Sequence, residues 1–89
     1  MIIIHGMLSN DMQEHILDLR GYQCPLPVLK TRHFMRKMTM GEKVRVLTDD
    51  PLAAIDIPNF VQEHDQKMIA QDENPDGGHA FLLVRCGEL

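Results

Sequence analysis

Four short segments rich in apolar residues predict β-strands, because each is bounded by turn formers and is too short for a helix. In the second segment Val44, Val46 and Thr48 alternate with other residues and therefore share one face. The run Asn74–Gly78 is a strong turn signal, so we expect a hairpin between the last two strands. The predicted strands are Ile16–Leu19, Lys43–Thr48, Lys67–Asp72 and His79–Cys86.

Two longer segments have apolar residues at helical spacing. The first helix is predicted to begin with Pro25, at the first helical position, where a missing N–H has no cost. It should run to about Met40, with Gly41 as its C-terminal stop. One arc of this helix should face the core. Its members are Pro27, Val28, Thr31, Phe34, Met35 and Met38.

The second helix is predicted after the second strand, with Asp50 as N-cap and Pro51 at the first helical position. Pro58 lies inside the helical pattern, so we expect a kink or an interruption near residues 56–58. A shared arc again indicates one buried face. This arc contains Ala53, Ala54, Ile57, Phe60 and Val61.

The predicted order is therefore β-α-β-α-β-β, an α+β fold. Because each helix has one apolar face, both should cover one face of a four-stranded mixed sheet as a two-layer sandwich. The chain has 89 residues, enough for one domain. We assign residues 14–89 to this domain and residues 1–13 to a flexible leader.

Composition removes several classes of function. The net charge of -4 has the wrong sign for a protein that binds duplex nucleic acid, and aromatic residues make up only 4%. The longest apolar runs, Met1–Ile4 and Ala80–Val84, are far too short to span a membrane. Without a secretory signal, the expected location is the cytoplasm. We expect a monomer.

The two cysteines, Cys24 and Cys86, are too few for a disulfide scaffold and lack metal-ligand spacing, and the histidines are scattered singly, so no metal site is expected. Cys86 alternates with Ala80, Leu82 and Val84 on one strand face, which predicts a packed thiol.

Cys24 is the stronger chemical candidate because it lies just before a predicted helix, whose dipole favours a thiolate. Pro25 and Pro27 have no N–H to donate, which weakens direct hydrogen bonding to the sulfur. Lys30 and Arg32 add positive potential. We therefore expect a thiol that leans towards the thiolate without being extremely acidic.

Several reactions can be excluded for this thiol on spacing alone. His33 is nine residues further on, roughly 13–14 Å along a helix, so a local Cys–His pair is excluded. A dithiol mechanism needs a resolving cysteine, and no motif connects Cys86 to Cys24. Two interpretations stay open: a nucleophile that passes on a group carried on sulfur, and a small structural cysteine.

Leu26 and Leu29 lie in the first turn of this helix, away from its core arc. They are either ordinary exposed leucines or a docking patch for a partner. Asp49 and Asp50 are sufficiently explained as a helix N-cap and its neighbour.

The segment Leu17–Lys30, LDLRGYQCPLPVLK, carries a CPxP motif at Cys24–Pro27, after the first predicted strand. Gly41-Glu42 and the segments Asp49–Pro51 and Asp56–Phe60 follow in register. Together these motifs resemble the TusA/SirA-like sulfur-carrier family over about residues 16–85.

This resemblance implies the same βαβαββ sandwich and makes Cys24 the residue that accepts sulfane sulfur as a persulfide. The donor would be a cysteine desulfurase or a rhodanese-like protein, and the sulfur would pass to an acceptor protein. The best-known branch ends in 2-thiouridine of tRNA, and others feed sulfur oxidation, molybdenum-cofactor synthesis or thiosulfate use. By position, Pro25 and Pro27 match the motif prolines, while Gly21 and Asp50 support the motif. No metal or organic cofactor is implied.

The leading hypothesis is a sulfurtransferase that works as a carrier rather than as an independent catalyst. Cys24 is its nucleophile. The alternative is a regulatory binding module in which the CPxP turn is a rigid helix cap and the thiol is idle. An independent enzyme ranks third, because the sequence shows no acid–base partner. The candidate partner-binding residues are Leu26, Leu29, Lys30 and Arg32.

Overall fold

Residues 14–89 alternate strand and helix twice and end in a β-hairpin, in the order that the sequence predicts. The structure is a computed structural model that describes residues 14–89. The predicted leader, residues 1–13, lies outside the described residues. The elements are β1 (Glu14–Asp18), α1 (Leu26–Arg36), β2 (Lys43–Thr48), α2 (Ala53–Glu63), β3 (Lys67–Glu73) and β4 (His79–Val84).

The four strands form one mixed sheet in the order β1-β2-β4-β3. β1 and β2 are parallel, whereas β4 is antiparallel to both of its neighbours. Parallel strands end at the same edge of a sheet. Because α1 follows β1 and α2 follows β2, both helices begin at this one edge, and the loops that precede them become neighbours.

The core lies between the sheet and the two helices, which pack on one face of it. Val44 and Val46 of β2 are fully buried, as are Met35 of α1 and Ile57 of α2. The helical arcs predicted from the sequence are therefore confirmed as the core-facing sides. The buried apolar cluster is Leu19, Met35, Met38, Val44, Val46, Ala53, Ile57, Phe60, Val61, Phe81 and Leu83.

The predicted bounds of α1 are wrong at both ends. Pro25 is the N-cap rather than the first helical residue, so Pro27 takes the second helical position. The helix ends at Arg36 instead of Met40. A residue distant in sequence stabilises this end of the helix. The Arg85 guanidinium donates hydrogen bonds to the carbonyls of Met35 (2.8 Å) and Met38 (2.9 Å). Gly41 stands in the turn before β2, with φ +90°.

The prediction for α2 also needs two corrections. The helix begins at Ala53, so Asp50 is not its N-cap and Pro51 lies in the turn that precedes it. The helix continues without interruption through Pro58. A proline removes one hydrogen bond from a helix interior. Here Ile57 and Phe60 on either side of it are buried against the sheet, and this packing holds the helix together.

Candidate functional site

Cys24 lies in the loop between β1 and α1, directly before the N-cap residue Pro25, and its side chain is exposed. The Cys24–Pro25 peptide bond is cis. The loop turns at Gly21, whose φ of +94° is a conformation that other residues rarely adopt. The cysteine is thus presented at the sheet edge where both helices begin.

Two neighbouring aspartates hold this loop from the connection between β2 and α2. The amide of Gly21 donates to Asp49 Oδ1 at 2.9 Å. The amide of Cys24 donates to Asp50 Oδ2 at 2.5 Å, and Asp50 Oδ1 accepts from the amide of Leu52 at 3.1 Å. The sequence interpretation of both aspartates as parts of a helix cap was therefore incomplete, because their carboxylates fix the cysteine loop.

A third aspartate contacts the sulfur itself. Cys24 Sγ donates a hydrogen bond to Asp56 Oδ2 at 2.9 Å. Asp56 is in the first turn of α2 and follows Cys24 by 32 residues. No acid–base partner for Cys24 is evident from the sequence alone. The position of Asp56 near the beginning of the second helix was a usable signal. Because β1 and β2 pair in parallel, the beginnings of both helices lie close together, and an acidic residue there comes near Cys24.

The expected bias towards a thiolate is wrong. The hydrogen bond to Asp56 raises the pKa of the Cys24 thiol above its ordinary value. Partial loss of solvent around the sulfur and the negative charges of Asp56 and Asp50 act in the same direction. These nearby carboxylates outweigh the distant dipole of α1, so the free protein holds Cys24 as a neutral thiol at neutral pH.

The two cations that were expected to help Cys24 are not among the groups that shift its pKa. Lys30 Nζ stands 4.7 Å from the centre of the Tyr22 ring, a cation–π contact. Arg32 is half-buried and lines a groove between α1 and α2. The charges that shift the thiol pKa are those of Asp56 and Asp50.

This groove has a volume of about 380 Å³ and runs beside Asp56, with Leu29, Asn59 and Glu63 in its walls. Four exposed apolar side chains belong to the beginnings of α1 and α2, at the edge of the sheet where Cys24 lies. Leu26 and Leu29 belong to α1, Leu52 donates its amide to Asp50, and Ile55 precedes Asp56 in α2. We call Leu26, Leu29, Leu52 and Ile55 the apolar rim.

Cys86 is exposed, so its predicted packing is wrong. β4 ends at Val84, and the alternation on which the prediction rested stops there. The amide of Cys86 donates to Gln66 Oε1 at 2.7 Å. Because Val84 pairs with Lys43 at the beginning of β2, Cys86 lies near the opposite end of the sheet from Cys24. The two thiols do not form a pair.

The described residues contain no group of three or more His, Cys, Asp or Glu side chains arranged to hold a metal ion. Within the same residues, no helix is long and apolar enough to cross a membrane.

The fold is that of a small α+β protein with two helices on one face of a four-stranded mixed sheet. A SirA-like protein from Desulfitobacterium hafniense has a similar structure, with a TM-score of 0.71 and 19% sequence identity. The match covers 81% of this chain and 97% of that one, and it establishes the fold. The family model described as sulfurtransferase TusA matches residues 15–85. The chain belongs to this family, as the CPxP resemblance indicated.

Proposed function

We propose that this protein carries sulfane sulfur as a persulfide on Cys24 and relays it to an acceptor protein. One observation carries the proposal: an exposed thiol stands directly before a helix, in a loop that two aspartates hold in place. Persulfide formation needs an accessible sulfur and a fixed direction of approach rather than a deep pocket. Membership of the TusA family supports the same chemistry.

The sulfur donor in this proposal is a cysteine desulfurase or a rhodanese-like protein, in the reducing cytoplasm expected for a chain with two free thiols. The apolar rim would receive it. Among these side chains, Leu29 lines the groove and is 53% exposed, and Ile55, which precedes the groove residue Asp56, is 59% exposed. Exposed apolar groups around a reactive atom favour contact with a protein surface.

The test is intact-mass analysis after incubation with a cysteine desulfurase and cysteine. Wild type and the Cys86→Ser variant should gain the mass of one sulfur atom, and the gain should disappear on reduction. The Cys24→Ser variant should gain nothing, because its hydroxyl cannot hold sulfane sulfur. Thiosulfate with a rhodanese serves as a second donor.

Absence of the gain in wild type with both donors would contradict the carrier function. It would favour a regulatory binding module that uses the loop only as a rigid surface. Loss of the gain in Cys86→Ser would show that the second cysteine also takes part.

A further inference from the structure

The immediate surroundings of the Cys24 sulfur are acidic. Asp56 Oδ2 accepts the thiol hydrogen bond at 2.9 Å. Asp50, whose charge also acts on the thiol, accepts hydrogen bonds from the amides of Cys24 and Leu52. Within residues 14–89, Asp56 is the one side chain that hydrogen-bonds the sulfur. A base that takes the proton from this thiol is therefore already in contact with it.

We propose that Asp56 accepts the Cys24 proton during sulfur transfer and returns it to the thiol that leaves the donor. This inference rests on the proposed carrier function and adds a residue to its reaction. A carboxylate at hydrogen-bond distance has the geometry that general-base catalysis requires. The backbone of Asp56 is held in the first turn of α2, because its amide donates a hydrogen bond to the Leu52 carbonyl at 2.9 Å.

The step balances without an oxidant or a reductant. The proton moves from Cys24 Sγ to Asp56 as the sulfur attacks the outer sulfur of a donor persulfide, R–S–SH. A new S–S bond forms at Cys24, the S–S bond of the donor breaks, and its electron pair leaves with R–S⁻. Asp56 then protonates that thiolate, so Cys–SH and R–S–SH become Cys–S–SH and R–SH.

Asp56 also explains how an exposed cysteine stays a thiol between transfers. The hydrogen bond and the negative charge both favour the protonated sulfur. Only a thiolate is an efficient nucleophile, so unrelated electrophiles and oxidants react slowly with the resting protein. The proton is removed when a persulfide is in position to be attacked.

Other charged groups near this site do not contact the sulfur. Arg32 of α1 and Glu63 and His64 of α2 line the groove beside Asp56. Asp49 accepts the amide of Gly21. In the same loop the guanidinium of Arg20 is paired with Asp18 at 2.7 Å. Substitution of Asp56 therefore tests one defined contact.

The experiment compares two reactions of the full chain in a Cys86→Ser background, so that Cys24 is the one thiol measured. Alkylation by iodoacetamide releases iodide and needs no proton for its leaving group. Sulfur transfer from glutathione persulfide releases a thiolate that takes up a proton. Both rates are measured against pH for wild type, Asp56→Asn, Asp56→Glu and the control Glu88→Gln, which removes an exposed carboxylate outside the groove. Circular dichroism verifies that each variant is folded.

In Asp56→Asn the midpoint of the alkylation profile should move to lower pH, because the anion next to the sulfur is gone. For each pH unit by which the midpoint falls, the thiolate fraction at neutral pH rises about tenfold, while the nucleophilicity of the thiolate falls about threefold. The alkylation rate at neutral pH should therefore rise about threefold. Sulfur transfer should instead fall by about tenfold or more relative to alkylation. Asp56→Glu should recover part of the transfer rate, and Glu88→Gln should behave as wild type.

An alkylation profile that is unchanged in Asp56→Asn would overturn the assignment of Asp56. Equal factors of change in the two reactions would overturn the proton transfer, since Asp56 would then act on ionisation alone. If wild type takes up no sulfur while the alkylation profile still moves, the carrier function fails, and the transfer step fails with it.

Discussion

Asp50 joins two separate backbone segments through a single carboxylate. Its two oxygens accept from the amides of Cys24 and Leu52, so the loop before α1 and the turn before α2 share one anchor. A charged acceptor makes stronger hydrogen bonds than a neutral one. The contacts of this one side chain therefore hold Cys24 in its position beside the turn before α2.

We expect Asp50→Ala to lower the free energy of unfolding by about 1–2 kcal/mol, as for the loss of a capping side chain. Urea denaturation followed by circular dichroism measures the change. The control is Asp72→Ala, which removes an exposed carboxylate from β3 and should stay within about 0.5 kcal/mol of wild type. Equal effects of the two substitutions would show that the Asp50 contacts contribute nothing.

At the scale of elements, Arg85 connects the end of β4 to the end of α1. Its Nη1 donates to the carbonyls of Met35 and Met38, and its Nε donates to the carbonyl of Gly87 at 2.6 Å. The last carbonyls of a helix have no partner within the helix and carry partial negative charge. The Arg85 guanidinium supplies hydrogen-bond donors to these carbonyls and a positive charge next to them. These contacts explain why α1 ends where it does.

The Arg85→Ala variant should lose about 2–3 kcal/mol of stability, because several partly buried hydrogen bonds to a charged donor disappear together. Arg85→Lys should recover only part of this loss, since an ammonium group lacks the planar fork of donors. Thermal and urea unfolding measure both variants. Arg36→Ala, at an exposed position in the last turn of α1, is the control and should change stability by less than about 0.5 kcal/mol. A small loss in Arg85→Ala would contradict this account of the helix end.

At the scale of the whole molecule, the parallel pairing of β1 and β2 places the beginnings of both helices at one edge of the sheet. The cysteine loop, the three aspartates and the apolar rim all gather there, although they come from residues separated by up to about half of the described chain. Cys86 comes after β4, which ends at the opposite edge of the sheet. One end of the molecule therefore carries the proposed chemistry and the proposed docking surface.

We expect the double substitution of Leu26→Gln and Leu29→Gln to slow sulfur transfer from a cysteine desulfurase about tenfold, as for the loss of an interface contact worth more than about 1 kcal/mol. Glutamine is uncharged, so the thiol environment is preserved, and the rate with glutathione persulfide should stay at the wild-type value. Stopped reactions analysed by intact mass give both rates.

The matched control for that experiment is Ile69→Gln. Ile69 is 49% exposed at the irregularity of β3, on the strand at the far edge of the sheet from β1. It should react with both donors as wild type does. Equal slowing with both donors in the leucine variant would contradict a docking role for the rim.

The order of the strands and helices was predicted correctly from the sequence, because apolar periodicity is a local property of the chain. Lys43–Thr48 was predicted with the bounds that the structure has, and the core arcs of both helices were correct. The CPxP motif, which is also local, indicated the family. The helix ends were less accurate, since the end of α1 depends on Arg85, whose contacts cross 47 to 50 residues.

The protonation state of Cys24, in contrast, depends on contacts that form only when the chain folds. Local features, the helix dipole and two nearby cations, predicted a thiol that leans towards the thiolate. The sheet topology instead brings Asp56 to the sulfur and Asp50 to the amide, across 32 and 26 residues. Electrostatic effects depend on distance through space rather than along the chain, and a carboxylate at 2.9 Å outweighs a dipole spread over a helix.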